Sequence, residues 1–133
     1  MIVDSSAIIA ILKREQTWTA LSEKLDAAKS ACISAANYLE TSIVVDGWKN
    51  PILSREFDEL IERFGIALEP VTEVQAKIAR QAYRDYGKGS GHAANLNFGD
   101  CFSYALAREK REPLLYKGDD FGHTDLRSAL QQS

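Results

Sequence analysis

Five carboxylates in this chain stand where they could act together. Asp4 closes the apolar run Met1-Ile2-Val3, and Glu40 sits among Tyr38, Leu39, Ile43 and Val44. Asp100 follows Phe98-Gly99, and Asp119-Asp120 follow Leu114-Leu115-Tyr116. Taken singly, each has an ordinary use: Asp4 and Asp100 as helix N-caps, Glu40 on a solvated helix face, Asp119 and Asp120 in a turn. Gathered in one pocket they would repel, and would take up protons or weaken the fold unless a cation sat among them. A carboxylate set without histidine or cysteine favours Mg²⁺, with Mn²⁺ as its substitute, over Zn²⁺ or Cu²⁺. Mg²⁺ keeps several waters and takes one or two protein carboxylates, which leaves room for a substrate phosphate. The chemistry expected of such a site is phosphodiester hydrolysis. The ion polarises the phosphoryl group, lowers the pKa of a bound water and, with a second ion, stabilises the leaving oxygen. Neither histidine is needed as a base in that scheme.

The elements that must position these acids alternate in type. Met1–Val3 reads as a short strand, and Ala7–Leu12 as a buried helix opened by the serine caps Ser5 and Ser6. Trp18, Leu21, Leu25 and Ala28 recur at helical spacing. Ala31–Ser34 is a second strand, and Ala36–Val45 returns to helix up to Gly47. Leu53, Phe57, Leu60, Ile61 and Phe64 mark another helix, followed by Ile66–Leu68 as a third strand before Pro70. Thr72 and Gln75 have capping-box spacing for a helix whose inner face would be Val74, Ile78, Ala82 and Tyr86. Gly87–Gly99 is a loop, and Asp100 stands where the next helix begins, reaching about Lys110. Pro113–Tyr116 reads as a fourth strand buried on both faces. Strands separated by helices imply a parallel sheet in an α/β sandwich, with the ligand site beyond the carboxyl ends of the strands. Asp4, Glu40, Asp100 and Asp119-Asp120 all fall towards that edge.

Composition narrows the field. The 133 residues, 45% hydrophobic and 26% charged, suit one compact domain spanning 1–133, with no repeat or linker to divide it. Sixteen Lys and Arg against nineteen Asp and Glu give a formal charge of −3, which excludes a grip on nucleic acid by bulk positive charge. Contact with nucleic acid would have to be local. Arg80, Arg84 and Lys88 on one helix side, His92, Asn95 and Asn97 in the Gly-rich loop, and Lys117 are the candidates, set against a solvated face and a flexible connector. Tyr83, Tyr86 and Phe98 would either stack on bases or pack in the core. Cys32 and Cys101 lie in apolar runs without metal-ligand spacing and read as buried reduced thiols. The N-terminus has neither a basic stretch nor a long apolar run, so a cytoplasmic protein without a membrane span is expected.

Taken in order, Ile2-Val3-Asp4-Ser5-Ser6-Ala7, the helical Glu40, Asn97-Phe98-Gly99-Asp100-Cys101-Phe102 and Leu114-Leu115-Tyr116-Lys117-Gly118-Asp119-Asp120-Phe121 with Thr124-Asp125 resemble the successive motifs of PIN-domain VapC toxins. The resemblance spans nearly the whole chain. It implies a three-layer α/β/α sandwich around a mostly parallel sheet of four or five strands. It implies a single-strand-selective endoribonuclease acting on tRNA or rRNA, the toxin of a VapBC pair, usually a homodimer and silenced by a cognate antitoxin whose C-terminal segment fills the active-site groove. It implies Asp4 and Asp100 as principal Mg²⁺ ligands, Glu40 as ligand to a metal or its water, and Ser6 hydrogen-bonding within the acidic cluster. It implies Asp120, directly before Phe121, as the fourth acid, with Asp119 as the alternative. Two other readings compete: a phosphoryl-accepting α/β domain with Asp4 and Lys117 after strands, and a non-enzymatic binding domain whose acids are caps. The first lacks a second Asp two residues after Asp4, where Ser6 stands.

Overall fold

The computed structural model describes residues 1–131. Four strands, β1 (Ile2–Val3), β2 (Ala31–Ser34), β3 (Ile66–Glu69) and β4 (Leu114–Leu115), form a sheet in the order β3-β2-β1-β4. Every pairing is parallel, with Ile2 opposite both Cys32 and Leu114, and Val3 opposite Leu115. Where a fifth strand would lie there is a single bridge between Leu114 and Ser128. Six helices connect the strands: α1 (Ser5–Leu12), α2 (Trp18–Ala27), α3 (Ala35–Gly47), α4 (Pro51–Arg63), α5 (Glu73–Tyr86) and α6 (Phe98–Lys110).

The three layers follow from side-chain alternation along the strands. Val3, Ile33 and Leu115 face a cluster with Ile8, Ile11, Leu21, Leu25, Phe57 and Leu60 from α1, α2 and α4. Their neighbours Ile2, Cys32 and Leu114 face the opposite cluster, with Ala82 of α5 and Tyr104 and Leu106 of α6. Ile2, Val3, Leu114 and Leu115 are fully buried, and such side chains each contribute about 1.5–3 kcal/mol. This is why two residues suffice for each of β1 and β4. β3 is the more exposed of the two edge strands, with Leu68 45% exposed, whereas β4 at the other edge is buried.

Three local expectations are corrected. α1 is capped by Asp4, whose side chain accepts from the Ser6 amide, and both serines lie inside the helix. In α5, Thr72 accepts from the Gln75 amide, but the Gln75 side chain turns inward and donates to Glu109 Oε1 at 2.9 Å. Val74 is 54% exposed, while Ala82 is buried and Ile78 and Tyr86 pack against the core. α6 begins at Phe98, two residues earlier than expected. Asn97 is its cap, and Asp100 closes a reciprocal capping box from inside the first turn. Among the described residues no helix is long and apolar enough to cross a membrane.

Candidate active site

The acids reach one place because each leaves the sheet, or meets it, at the carboxyl edge of the strands. Asp4 follows β1 and caps α1, Glu40 lies in the second turn of α3 after β2, and Asp120 opens a 3-10 turn, Phe121–His123, after β4. Asp100 comes in from the first turn of α6. Their proximity shows in Asp100, whose carboxyl is pushed up from an ordinary 3.8 to about 6. Burial is the main cause, opposed by the Asn97 amide and reinforced by the charges of Asp4, Asp120 and Glu40. Of the closing pair it is Asp120 whose charge acts on Asp100. The N-termini of α1 and α6 both point into the cluster, and their partial positive charge offsets some of the repulsion.

A buried polar seam fixes the acids. Asp4, only 3% exposed, receives the Ser6 amide at Oδ2 and faces the Ser103 hydroxyl at Oδ1. Ser103 also lies 3.0 Å from Asn37 Oδ1, so its single proton is shared between two acceptors. Asn37, fully buried on α3, donates to the Gly99 carbonyl at 2.9 Å and approaches Glu40 Oε1 at 3.4 Å. Ser5 donates to the same Glu40 oxygen at 2.9 Å. Glu40 is packed against the start of α6: a Cβ built on Gly99 would stand 1.9 Å from its Oε2.

Sequence reasoning missed Ser5, Asn37, Gly99 and Ser103. Two of them could have been found, because Asn37 precedes Glu40 by three residues and Ser103 follows Asp100 by three. Each pair therefore lies on one helix face. Ser6 joins the cluster through its backbone amide, while its hydroxyl oxygen accepts from the Lys117 amide at 3.0 Å.

The residues suggested for RNA divide. Lys117 is ion-paired with Glu15 at 2.6 Å, which also removes the free lysine that a phosphoryl-accepting domain would need. His92 accepts from the Ala94 amide and stacks edge-on with Tyr86, which in turn lies against Tyr104. Asn97 is spent on its cap, and Asn95 occupies a left-handed turn position with φ 53°. Arg80, Arg84, Tyr83 and Phe98 remain exposed. Cys101 is buried, and that burial pushes its thiol up to about 11.

As a metal site the cluster is open rather than closed. Among the described residues, no three histidine, cysteine, aspartate or glutamate side chains form a group that could hold an ion by themselves. Asp100 Oδ1 and Glu40 Oε2 take no hydrogen bond among the described residues, whereas their sister oxygens are engaged. Two free carboxylate oxygens in a repelling cluster suit a hydrated hard cation that keeps most of its waters.

Fold and site together define a class: the chain belongs to the PIN-domain family, which it matches over residues 1–126. Within that family its similarity is to VapC ribonucleases. It is 57% identical over 132 residues to ribonuclease VapC28 of Mycobacterium tuberculosis, covering 99% of each chain. It is 50% identical over 129 residues to ribonuclease VapC42 of the same organism, covering 97% of this chain and 98% of that one. The fold is also that of Mycobacterium tuberculosis VapC20, a sarcin-ricin loop cleaving toxin, at 17% identity and TM-score 0.70 over 94% of this chain and 95% of that one. FitAcB from Neisseria gonorrhoeae shares it at 22% identity and TM-score 0.68, over 96% of both chains.

Proposed function

We propose that this chain is a divalent-metal-dependent endoribonuclease, the toxin of a VapBC-type toxin–antitoxin pair, hydrolysing phosphodiester bonds in tRNA or rRNA. The observation that carries the proposal is the convergence of Asp4, Glu40, Asp100 and Asp120, from four separate segments, at one edge of a parallel sheet. The names of its relatives at 50–57% identity support the ribonuclease assignment.

Asp4 and Asp100 would be the principal ligands, Glu40 would hold an ion or its water, and Asp120 would complete the set, with Ser6 tying the backbone to Asp4. Mg²⁺ is the natural ion and Mn²⁺ its substitute; when bound it supplies charge stabilisation and an acidified water. The chain's own part is orientation. Ser103 and the Ser6 amide hold Asp4, Ser5 and Asn37 hold one oxygen of Glu40, and the Asn97 amide holds one oxygen of Asp100. The free oxygens of Asp100 and Glu40 would meet the ion. We further propose one PIN domain across residues 1–133, working in the cytoplasm as a homodimer and silenced by a cognate antitoxin.

The test is RNA cleavage by the purified chain with Mg²⁺ or Mn²⁺. Activity should vanish in EDTA and in both Asp4→Asn and Asp100→Asn. Cleavage that survives either treatment would rule the mechanism out. Mapping RNA ends in cells after brief induction should give a few discrete cuts, which would identify the target.

A further inference from the structure

Three of the four acids are fixed by hydrogen bonds to their carboxylates: Asp4 by Ser103 and the Ser6 amide, Glu40 by Ser5 and Asn37, and Asp100 by the Asn97 amide. The Asp120 carboxylate has no such partner among the described residues. It stands on an irregular stretch between β4 and the Leu114–Ser128 bridge. That stretch is closed at its base, where the Leu114 amide donates to the Arg127 carbonyl at 2.9 Å. Phe121 anchors its middle, buried beside Tyr116 with ring centroids 5.3 Å apart. A second anchor lies beyond the acid. The Tyr104 hydroxyl donates to Asp125 Oδ1 at 2.7 Å, and Arg108 pairs with Asp125 Oδ2 at 3.0 Å. Asp100, Tyr104 and Arg108 recur every fourth residue and so share one side of α6. The closing stretch runs along that side, with Asp120 near enough for its charge to act on Asp100 and with Asp125 bonded to the turns that follow.

We propose that Asp125 is a positioning residue of this site: joined to Tyr104 and Arg108, it clamps the closing stretch to α6 and sets the spacing between Asp120 and Asp100 across which an ion is held. The inference rests on the nuclease reading of the acids and adds to it the device that places the fourth of them. The link from Asp125 to Asp120 is stiff. The amide and hydroxyl of Thr124 both donate to the Phe121 carbonyl, at 3.0 and 2.7 Å, and the Leu126 amide donates to Thr124 Oγ1 at 3.3 Å. A shift of Asp125 is therefore carried through the 3-10 turn to the acid at its start. The plain alternative is that Tyr104, 6% exposed, needs an acceptor in any fold. A carbonyl would meet that need. It does not call for a carboxylate paired to an arginine of the same helix, beside an acid that nothing else holds. Arg108 has its own part, because an uncompensated carboxylate here would add to the repulsion among the acids.

The experiment uses the full chain with Mn²⁺ alone as the probe, free ion being counted by electron paramagnetic resonance well below Tm. Tyr104→Phe removes only the hydroxyl and should weaken Mn²⁺ binding about tenfold, the lower end of the cost of losing an outer hydrogen bond at a metal site. Asp125→Ala should do the same. Asp125→Asn, which still accepts from Tyr104, should recover most of the loss. In an Asp120→Asn background Tyr104→Phe should change Mn²⁺ affinity no further, because both substitutions act through one carboxylate. Melting is followed alongside, since loss of a buried hydrogen bond lowers Tm whether or not the acids move. A lower Tm with unchanged Mn²⁺ affinity, in a parent that binds Mn²⁺ and cleaves RNA, would make the contact structural only, overturning the clamp and leaving the nuclease standing. A full further loss in the Asp120→Asn background would also overturn it. A parent that neither binds Mn²⁺ nor cleaves RNA would overturn the nuclease reading, and the positioning role with it.

Discussion

Replacing Asp100 by asparagine should make the metal-free protein more stable while destroying its proposed activity. Asparagine keeps the shape of the side chain, and its Oδ1 still accepts the Asn97 amide that closes the capping box. What it removes is a charge that burial and three neighbouring acids oppose. As pH rises the unfolded carboxyl ionises near 3.8, whereas the folded one holds its proton to about 6. Folding therefore retains a proton across that interval, and stability falls through it as pH increases. The displacement from 3.8 to about 6 sets a ceiling of about 3 kcal/mol. Partial exposure and salt screening reduce this to about 1–2 kcal/mol. For a domain of this length that is a rise in Tm of about 3–7 °C. The assay is thermal unfolding of parent and Asp100→Asn in EDTA, from about pH 4 to about pH 7.5. The difference should be small at the acid end and full above pH 6. Millimolar Mn²⁺ should reverse the order, because only the parent gains binding free energy from the ion. A variant that melts at or below the parent near neutral pH, with a difference indifferent to pH, would refute the reasoning.

Other perturbations separate the seam from the surface. Gly99→Ala places a methyl group where Glu40 Oε2 now stands, and should cost about 1–3 kcal/mol of stability and most of the RNA cleavage, as read from melting and turnover. Asn37→Ala removes the buried amide that donates to the Gly99 carbonyl and ties α3 to α6, leaving Ser103 to donate to Asp4 alone, and should lower stability by about 2–3 kcal/mol in urea titrations. Lys117→Met breaks only a half-exposed pair with Glu15, so unfolding should shift by less than about 1 kcal/mol, and RNA affinity should not change.

Strand and helix order was legible because burial leaves a plain mark on short runs. β2 occupies Ala31–Ser34 as expected: all four residues are buried, and Ser34 is also the cap of α3. Helix faces were legible only where packing agrees with polarity. Val74 looked like an inner residue, yet it lies off the contact arc, and Gln75 turns inward because Glu109, thirty-four residues away, satisfies it. The same blindness hid Asn37 and Ser103. A polar side chain reads as surface until the fold supplies its partner, and their partners lie on other helices. The convergence of the acids was legible because a parallel sheet sends every strand's end to one edge. The start of α6 was misplaced because Asp100 resembles a cap, when Asn97 three residues earlier already fills that role.

β1 is only two residues long, with Ile2 turned to one layer and Val3 to the other, and Asp4 bonded through its amide to the Leu115 carbonyl. Lengthening or shortening the chain by one position there would exchange the two faces and carry the carboxylate to the wrong side of the sheet. Parity is thus imposed on this stretch: an inserted pair could be absorbed by a longer strand, but a lone extra residue could not. Libraries that vary length around positions 2–4 should return functional members in even steps.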